Sequence, residues 1–409
     1  MSVKMLNKVK QVLKKAENKI NYRKYRVVYI MLFILMSFVI LCVGHFLFIS
    51  THTALEPGGT ANEPVTESEG AKEEVKPNPV KYEHRSETIN GLKQEIDILE
   101  IDLSGGLAQI KPVLSYDLIY GFQLLSEMAE NEGAYAAVNG GFFYAYGLPS
   151  GMVVTDSELI STSTGNYPVF VVENGMASLK NIKSEVAVKH SGSSEGAIKI
   201  DVFNSPAGGN RIAVYTPVYG KTNRAEESNI TATVVNGTVT RVAFYYGEAE
   251  IPKDGILISF FDTDRYEKEG MPIKEGDLLT VTHSPDISNI TAAYECGSWL
   301  VRDGEAVAPQ RDAWVGVLTN RDPRTAVGIK EDGTVILLTV DGRQPGYSAG
   351  FTGRELADYL IGLGVKDAAM LDGGASTEMI VQGRMVNRPS FKGEERPLGG
   401  ALVVITKSN

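Results

Sequence analysis

The strongest constraint on the fold is a series of β-branched segments separated by short turns in the second half of the chain. The segments are typical of strands, and NG, DG, EDG or KDG turns separate the strands. The segments are RIAVYTPVYG, TATVVNGTVTRVAFY, ILISFFDT, DLLTVTH, SWLVRDGEAVA, TAVGIKEDGTVILLTVDG and ALVVIT. Because turns this short join strands that run in opposite directions, the pattern predicts large, mainly antiparallel sheets.

Two segments with helical spacing accompany these strands. In SYDLIYGFQLLSEMAENEG, residues 115–133, apolar side chains recur at helical spacing and Gly133 is a typical helix end. In TGRELADYLIGLG, residues 352–364, Thr352 and Glu355 form a capping box at the start. We therefore predict the α+β fold class: one large mixed domain with mainly antiparallel sheets and at least two helices, preceded by a transmembrane helix.

The transmembrane helix is predicted from the N-terminal part of the chain. Residues 1–26 contain nine Lys or Arg and one Glu, which gives a net charge of +8. Residues 27–50 contain no charged side chain, and as a helix they would span a hydrocarbon core of about 30 Å. The following THTALEPGG lacks the small-residue cleavage site of a signal peptide. We expect residues 1–26 in the cytoplasm and the C-terminal domain outside the cell, as in a single-pass membrane protein.

The rest of the chain divides by composition. Residues 51–82 are rich in Pro, Glu, Thr and Gly and are expected to form a disordered stalk. No later linker is evident, so residues 83–409 are predicted to form one domain. Removing +8 from the total of −10 leaves −18 for the chain beyond residue 26, which argues against nucleic-acid binding.

The two cysteines give a further indication of the compartment. Cys42 lies in the predicted membrane span, and Cys296 is the other cysteine, so no disulfide can form within the outer part. This usage is typical of a bacterial envelope protein. No histidine is near Cys296 in sequence, which favours a buried apolar residue over a nucleophile.

Polar residues follow or precede apolar strands at four places, where protein scaffolds commonly present reactive side chains. The glycines in these loops let the backbone approach a ligand, while Asn, Asp, Arg or Ser supplies a polar contact. Taken singly, each of these segments is better explained by an ordinary turn than by a functional site. The four segments are VNGGFF (138–143), RDPRTAVG (321–328), VDGRQPGYSAG (340–350) and LDGGAST (371–377).

Taken together with NRPS (387–390) and ERPLGGALVV (395–404), these segments resemble the phosphodiester glycosidase family. That family includes the uncovering enzyme, which removes N-acetylglucosamine from a phosphodiester on lysosomal glycans, and bacterial envelope proteins called exopolysaccharide biosynthesis proteins. The resemblance covers residues 84–409. It departs at AYECGSWLVRDG, where Glu295 and Cys296 stand in place of a glycine-rich turn.

The resemblance implies that a sugar 1-phosphodiester is the substrate. Its phosphate leaves as an anion, which a planar guanidinium can bind through two hydrogen bonds. Arg324 and Arg343 each stand beside a motif turn and are the candidate phosphate-binding residues. The alternative is that each pairs with a nearby acid, Asp322 or Asp341.

The sugar gains positive charge as its bond to phosphate stretches, so a carboxylate near the anomeric carbon is expected. Asp372 and Asp341 are the candidate catalytic residues, because both follow apolar strands and precede glycine. Glu378 is a substitute for either. The alternative for both aspartates is a turn residue that caps its own backbone. Retaining and inverting mechanisms are both left open.

The remaining candidate residues are predicted to bind substrate through backbone approach, amide groups or hydroxyl groups. Turn and strand-edge hydrogen bonds are the alternative for the polar ones. They are Asn139, Gly140, Gly141, Gly373, Gly374, Ser376 and Thr377. No zinc-ligand spacing occurs, so no metal site or cofactor is predicted, although Ca²⁺ or Mg²⁺ held by aspartates is not excluded.

Two functions follow from these observations. The first is a membrane-anchored extracellular hydrolase that cleaves the sugar 1-phosphodiester bond of a cell-envelope glycan or a glycosylated phosphodiester polymer. The alternative is a non-catalytic protein that binds polysaccharide or assists its export and assembly. Substitution of Asp372 by Asn separates them, because only an enzyme would lose turnover while it kept glycan binding.

Overall fold

The computed structural model describes residues 78–191 and 196–407. The predicted basic segment over 1–26, the predicted transmembrane helix over 27–50 and most of the predicted stalk over 51–82 lie outside these residues. The first strand already begins at Val80. The division of the chain into four regions stays a prediction.

The longest α-helix in the described part of the chain is Gly353–Gly362, with 10 residues. At about 1.5 Å per residue it covers only half of a hydrocarbon core of about 30 Å. No helix of the described residues is long and apolar enough to cross a membrane. The prediction of a single-pass membrane protein with an extracellular domain is therefore not supported by the structure.

The predicted α+β class is also wrong, because the described residues form a mostly β structure. The α-helices among them are short, in contrast to 27 strands. They are α1 (Leu125–Asn131), α2 (Thr263–Glu269) and α3 (Gly353–Gly362).

Helix α1 shows why helical spacing overestimated the helix content. The helix predicted over 115–133 forms only from Leu125 to Asn131. Before it, Tyr116 and Asp117 have positive φ values of 56° and 55°. The Gly121 N–H donates to the carbonyl oxygen of Tyr146 at 2.9 Å, and so pairs with a distant loop instead of a preceding turn. Helix α3, in contrast, begins with the predicted capping box of Thr352 and Glu355.

The largest sheet has seven strands, and every neighbouring pair in it is antiparallel. One face is covered by α3, whose Leu356 and Leu360 pack in the same cluster as Ile98 and Leu338. In sheet order the strands are β1 (Val80–Ile89), β2 (Leu92–Ile101), β23 (Val335–Val340), β22 (Arg324–Lys330), β24 (Val365–Met370), β18 (Trp299–Arg302) and β19 (Glu305–Ala306).

A five-stranded antiparallel sheet faces the other side of the seven-stranded sheet. Val138 and Leu402 from this sheet share a buried cluster with Val327 and Leu337. Because strand β23 is thus covered on both faces, all six of its residues are buried, which explains its continuous apolar sequence. The strands of the second sheet, in order, are β26 (Arg384–Met385), β25 (Met379–Val381), β4 (Ala136–Asn139), β27 (Gly400–Thr406) and β3 (Ala108–Leu114).

Four smaller sheets complete the described residues. All their strand pairs are antiparallel except β11 with β12, which are parallel. They are β6 (Glu158–Ser161), β5 (Val153–Thr155), β17 (Ile290–Glu295), β7 (Pro168–Glu173) and β8 (Met176–Asn181); β11 (Val202–Phe203), β12 (Ile212–Tyr215), β15 (Gly255–Phe260), β13 (Asn229–Val235) and β14 (Thr238–Tyr245); β10 (Ile198–Ile200), β9 (Glu185–His190) and β16 (Leu279–Ser284); and β20 (Arg311–Asp312) with β21 (Gly316–Val317).

Strand direction brings the predicted motifs together. Strand β22 is antiparallel to both β23 and β24, so its start lies at the same edge of the sheet as the ends of its two neighbours. Arg324 begins β22, Asp341 follows β23, and Asp372 follows β24 by two residues. Asn139, at the end of β4, meets this edge from the facing sheet.

Candidate functional site

The side chain of Asn139 connects three of the motif loops. Its Nδ2 donates to the carbonyl oxygens of Asp372 at 2.6 Å and of Gly140 at 3.2 Å. Its Oδ1 accepts hydrogen bonds from Thr325 Oγ1 at 2.7 Å and from the Glu378 N–H at 3.2 Å. The residue is 1% exposed. The predicted substrate-binding amide is therefore used here to hold the loops in their relative positions.

Substitution Asn139→Ala is expected to lower the free energy of unfolding by about 2–4 kcal/mol, because it leaves buried polar partners of the amide unpaired. The change is measured by urea denaturation. Asn210 is exposed, and Asn210→Ala provides the matched control, which should alter stability by less than about 0.5 kcal/mol. Equal stabilities of the two variants would contradict the connecting role of Asn139.

The glycines of the VNGGFF turn are required by the packing of the protein itself. A Cβ on Gly140 would lie 2.7 Å from the Tyr294 hydroxyl oxygen, and one on Gly141 would lie 2.5 Å from the carbonyl oxygen of Glu295. Strand β17 therefore fits under the turn only because both side chains are hydrogen. The space predicted for a substrate beside these two glycines is filled by β17 in the structure.

Residues 295 and 296, at the point where the chain departs from the family pattern, are part of the interior. Cys296 is 2% exposed, and burial raises the pKa of its thiol to about 12. Its thiol is therefore neutral and inaccessible, in agreement with the expected buried apolar residue. The Glu295 carboxylate accepts hydrogen bonds from the Met152 N–H at 3.0 Å and the Thr164 N–H at 2.9 Å.

Asp372 lies at the surface of the cluster and is partly exposed. Its N–H donates to the carbonyl oxygen of Gly140 at 3.1 Å, and its Oδ1 accepts from the Gly373 N–H at 2.8 Å. Burial raises the pKa of this carboxyl by removing water from it, although the hydrogen bonds of Ser376 and Gly373 and the charge of Arg396 oppose the shift. The site thus holds a partly exposed aspartate whose carboxyl group has an increased proton affinity.

Arg343 lies beside the turn that follows Asp372. Its Nε donates to Asp322 Oδ1 at 2.7 Å, and its side chain is 51% exposed. The terminal nitrogens lie 3.1 Å and 3.2 Å from the position that a Cβ on Gly374 would take. Within the described residues they have no hydrogen-bond acceptor. The backbone of Arg343 has φ +59°, an energetically costly conformation for a long side chain that is common at binding sites.

Arg324 takes a different position from Arg343. It is fully buried, with its Nε donating to the carbonyl oxygen of Phe351 at 3.0 Å and one Nη donating to that of Asn320 at 2.9 Å. Burial lowers the pKa of its guanidinium, and the charge of Asp322 partly offsets this effect. The two candidate phosphate-binding arginines are therefore placed differently, since solvent reaches only the side chain of Arg343.

Asp341, the second candidate catalytic residue, is 1% exposed and already has several hydrogen bonds. Its Oδ1 accepts from Asn387 Nδ2 at 2.9 Å, and its Oδ2 accepts from the Arg388 N–H at 2.8 Å and the Tyr347 hydroxyl at 3.2 Å. Burial raises the pKa of this carboxyl to about 6 against the effect of these hydrogen bonds. In this arrangement Asp341 fastens the NRPS segment to the end of β23.

The remaining predicted residues form a tight turn after Asp372. The Gly374 N–H donates to the carbonyl oxygen of Pro323 at 2.9 Å, and a Cβ on Gly373 would lie 3.1 Å from that same oxygen. Ser376 and Thr377 are each 1% exposed. The turn is thus held against the start of β22, and the two hydroxyl groups are directed into the protein.

Sequence reasoning passed over Arg396 and gave Glu378 only a substitute role. Glu378 is fully buried, and its Oε1 accepts from the Arg396 N–H at 2.7 Å, while its Oε2 has no partner in the described part of the chain. Burial raises the pKa of Glu378 to about 8. Arg396 stands in the ERPLGG segment, so a closer examination of that motif for cations would have identified it.

The raised pKa of Glu378 predicts a pH-dependent stability. The pKa of Glu378 is about 8 in the folded protein and 4.5 in the unfolded chain, so the folded protein binds the proton more tightly. The free energy of unfolding is therefore highest below pH 4.5 and decreases as the pH rises to about 8. Glu378→Gln should remove this loss and become more stable than the parent by a few kcal/mol above pH 8. Urea denaturation between pH 4 and pH 9 measures the difference, with Glu305→Gln on an exposed residue as the control. A difference that does not change with pH would contradict a buried, neutral Glu378.

Among residues 78–191 and 196–407, no group of three or more His, Cys, Asp or Glu is arranged to hold a metal ion. The expectation that the protein needs no cofactor stays a prediction.

Comparison with known proteins connects this cluster to a family. Residues 228–405 match the model for phosphodiester glycosidase, which confirms the resemblance seen in the motifs. The matched range contains Arg343, Asp372 and Glu378, whereas Asn139 lies before it. The SPbeta prophage-derived uncharacterized protein YomE of Bacillus subtilis (strain 168) is 34% identical over 160 residues, which are 37% of this chain and 24% of that protein. The chain thus matches about a quarter of the length of this curated relative.

Two solved structures share the fold. A hypothetical protein from Synechocystis has a TM-score of 0.67 at 21% identity, over 80% of this chain and 62% of that one. A putative exported protein from Burkholderia pseudomallei K96243 has a TM-score of 0.63 at 23% identity, over 77% of this chain and 74% of that one. The catalytic domain of zebrafish N-acetylglucosamine-1-phosphodiester alpha-N-acetylglucosaminidase, auto-inhibited by its pro-peptide, reaches a TM-score of 0.42 at 14% identity, over 81% and 85% of the two chains. That likeness is too low to support a structural argument.

Proposed function

We propose that this chain, whose residues 228–405 match the phosphodiester glycosidase family, hydrolyses the bond between the anomeric carbon of a sugar and a phosphodiester. The observation that carries the proposal is the position of the half-exposed Arg343 side chain beside Gly374, two residues beyond the partly exposed residue Asp372. The substrate class is a glycosylated phosphodiester, such as a phosphate-linked envelope glycan.

Arg343 receives the phosphate in this proposal. The departing group is a phosphomonoester anion, so the reaction is accelerated by a cation placed where negative charge develops. Asp322 holds Nε at 2.7 Å and thereby orients the planar guanidinium, while the two terminal nitrogens are left to bind phosphate oxygens. The exposure of the side chain gives a polymeric substrate access to it.

Asp372 acts on the sugar side of the bond. The oxygen of water forms a bond to the anomeric carbon, the bond from that carbon to the phosphate oxygen breaks, and its electron pair leaves with the phosphomonoester. Asp372 accepts the proton of the attacking water as this bond forms, so it acts as a general base. Its raised pKa suits proton transfer, and the Gly373 N–H at 2.8 Å fixes one carboxylate oxygen.

The buried members of the cluster position these two groups. Asn139 holds the backbone of Asp372 through a hydrogen bond of 2.6 Å. Asp341 fastens the NRPS segment, and Arg324 holds the carbonyl groups of Asn320 and Phe351. We assign these three residues a positioning role because solvent does not reach their side chains.

The proposal is tested with the full chain and the methyl phosphodiester of N-acetylglucosamine 1-phosphate in ¹⁸O-labelled water. Release of free sugar that carries ¹⁸O, together with unlabelled methyl phosphate, is the expected result, because the broken bond joins carbon to oxygen. Label in the phosphate would instead indicate a phosphodiesterase and would overturn the proposal. Glycan binding by a folded protein that releases no sugar would favour the alternative, a non-catalytic polysaccharide-binding protein.

A further inference from the structure

A separate groove of about 610 Å³ lies beyond the end of the VNGGFF segment. Its lining combines aromatic rings with charged side chains. Its lining includes Tyr120, Tyr144, Tyr146, Tyr219, Arg224 and Glu226. The groove shares no lining residue with the cluster around Asp372.

Two of the tyrosines that line this groove are largely exposed to solvent. Tyr144 is 50% exposed and Tyr146 is 75% exposed. Tyr146 has φ +64°, and its carbonyl oxygen accepts a hydrogen bond of 2.9 Å from the Gly121 N–H, which holds the loop in place. Exposed aromatic rings gain little from folding, so their presence at a groove indicates a binding role.

Three further lining residues, Tyr120, Tyr219 and Arg224, contact one another. The hydroxyl groups of Tyr120 and Tyr219 are 3.2 Å apart and hydrogen bonded, and the rings meet edge to face at 5.3 Å. The guanidinium carbon of Arg224 lies 4.1 Å from the centre of the Tyr120 ring. These contacts fix ring orientation before any ligand arrives, which reduces the entropy lost on binding.

The charges around the groove select against anions. Glu226, Glu227 and Glu248 line it together with one cation, Arg224. Glu226 has no hydrogen-bond or ion-pair partner within the described residues, whereas Glu248 accepts from Thr222 Oγ1 at 2.6 Å. Carboxylates accept hydrogen bonds from hydroxyl groups, and aromatic faces pack against the apolar face of a sugar ring. The groove therefore matches a neutral saccharide and repels phosphate.

We propose that this groove binds neutral sugar residues of the glycan that carries the scissile phosphodiester. The identity of that glycan rests on the proposed function. The VNGGFF segment joins the two places: Asn139 contacts Asp372, and Tyr144 lies only five residues further along the chain. Trp314 supports this connection, since Phe142 stacks on it at 5.7 Å and Tyr144 contacts it edge to face at 5.1 Å.

The test is calorimetric titration of the full chain with three neutral probes: linear hexasaccharides of N-acetylglucosamine, of glucose and of mannose. We expect at least one to bind, and Tyr146→Ala to weaken that binding about tenfold. Tyr116→Ala is the matched control, because Tyr116 is also exposed, at 60%, and also has a positive φ of 56°, but does not line the groove. An oligogalacturonate of the same length should not bind.

Failure of all three neutral probes to bind would overturn the inference, as would tighter binding of oligogalacturonate or equal weakening by the two tyrosine variants. The titrations are repeated with Asp372→Asn, in which saccharide binding should be unchanged. Saccharide binding without hydrolysis by the parent protein counts against the proposed function alone, and hydrolysis without saccharide binding counts against the groove alone.

Discussion

Replacement of Asp372 by asparagine is expected to lower kcat for sugar 1-phosphodiester hydrolysis by about 10²- to 10⁴-fold, the range typical of a lost acid–base group. Asparagine keeps an oxygen that accepts the hydrogen bond from the Gly373 N–H, now 2.8 Å from Asp372 Oδ1, but it cannot accept a proton from water. Folding should be retained, because the amide removes a carboxyl whose ionisation the protein already disfavours. The measurement is the initial rate of sugar release at saturating substrate, together with thermal denaturation of each variant.

Asp358→Asn is the control for this substitution. Asp358 is exposed on α3, where it pairs with Arg354 at 2.9 Å, so its loss should leave kcat within about twofold of the parent. An Asp372→Asn protein with the parent kcat would remove Asp372 from the reaction. Should Asp341→Asn alone abolish activity in a folded protein, the proposed roles of the two aspartates would have to be exchanged.

Replacement of Arg343 by alanine is expected to lower kcat/KM by about 10²- to 10³-fold, the effect typical of removing one group that stabilises developing negative charge. The kcat/KM of Arg343→Lys should lie between the values of the parent and of Arg343→Ala, because lysine keeps the charge but not the planar pair of donors. Both kcat and KM are measured with the methyl phosphodiester of N-acetylglucosamine 1-phosphate. A change confined to KM would mean that Arg343 binds ground state and transition state equally.

Arg354→Ala serves as the matched control, since that side chain is 69% exposed and, among the residues that the structure describes, pairs only with Asp358 on its own helix. Its substitution should leave kcat/KM unchanged. If Arg343→Ala and Arg354→Ala have the same kinetics, the exposed guanidinium beside Gly374 has no part in catalysis, and the observation that carries the proposed function is lost.

Parts of the architecture were accessible from sequence because they depend on neighbouring residues. The segment TVILLTV corresponds to β23, whose six residues are all buried, and TAVGIK corresponds to most of β22. The capping box at Thr352 depends on two side chains three residues apart, and it occurs as predicted. The family resemblance was visible for a related reason, since its motifs are short and contiguous.

Other features were not accessible, since distant parts of the chain determine them. Helical spacing over 115–133 predicted too long a helix, because Gly121 pairs with Tyr146 rather than with a preceding turn. Local motif spacing treated Arg324 and Arg343 alike, yet one is fully buried beside Phe351 and the other is half exposed. Arg324 begins β22 and bonds the backbone at Phe351 and Asn320, whereas Arg343 lies in the turn after β23.

The sequence by itself determined the strands, the capped helix and the identity of the motif loops, because these follow from hydrophobic periodicity and turn chemistry over a few residues. Only the tertiary structure decided which motif residues face solvent. Burial and hydrogen-bond partners depend on contacts between strands far apart in sequence: Asn139 bonds the backbone at Asp372, and Asp341 is enclosed by the NRPS segment. Asp372 and Arg343 therefore lie partly exposed at one edge of the sheet, while the buried Asn139 and Asp341 hold the surrounding loops in place.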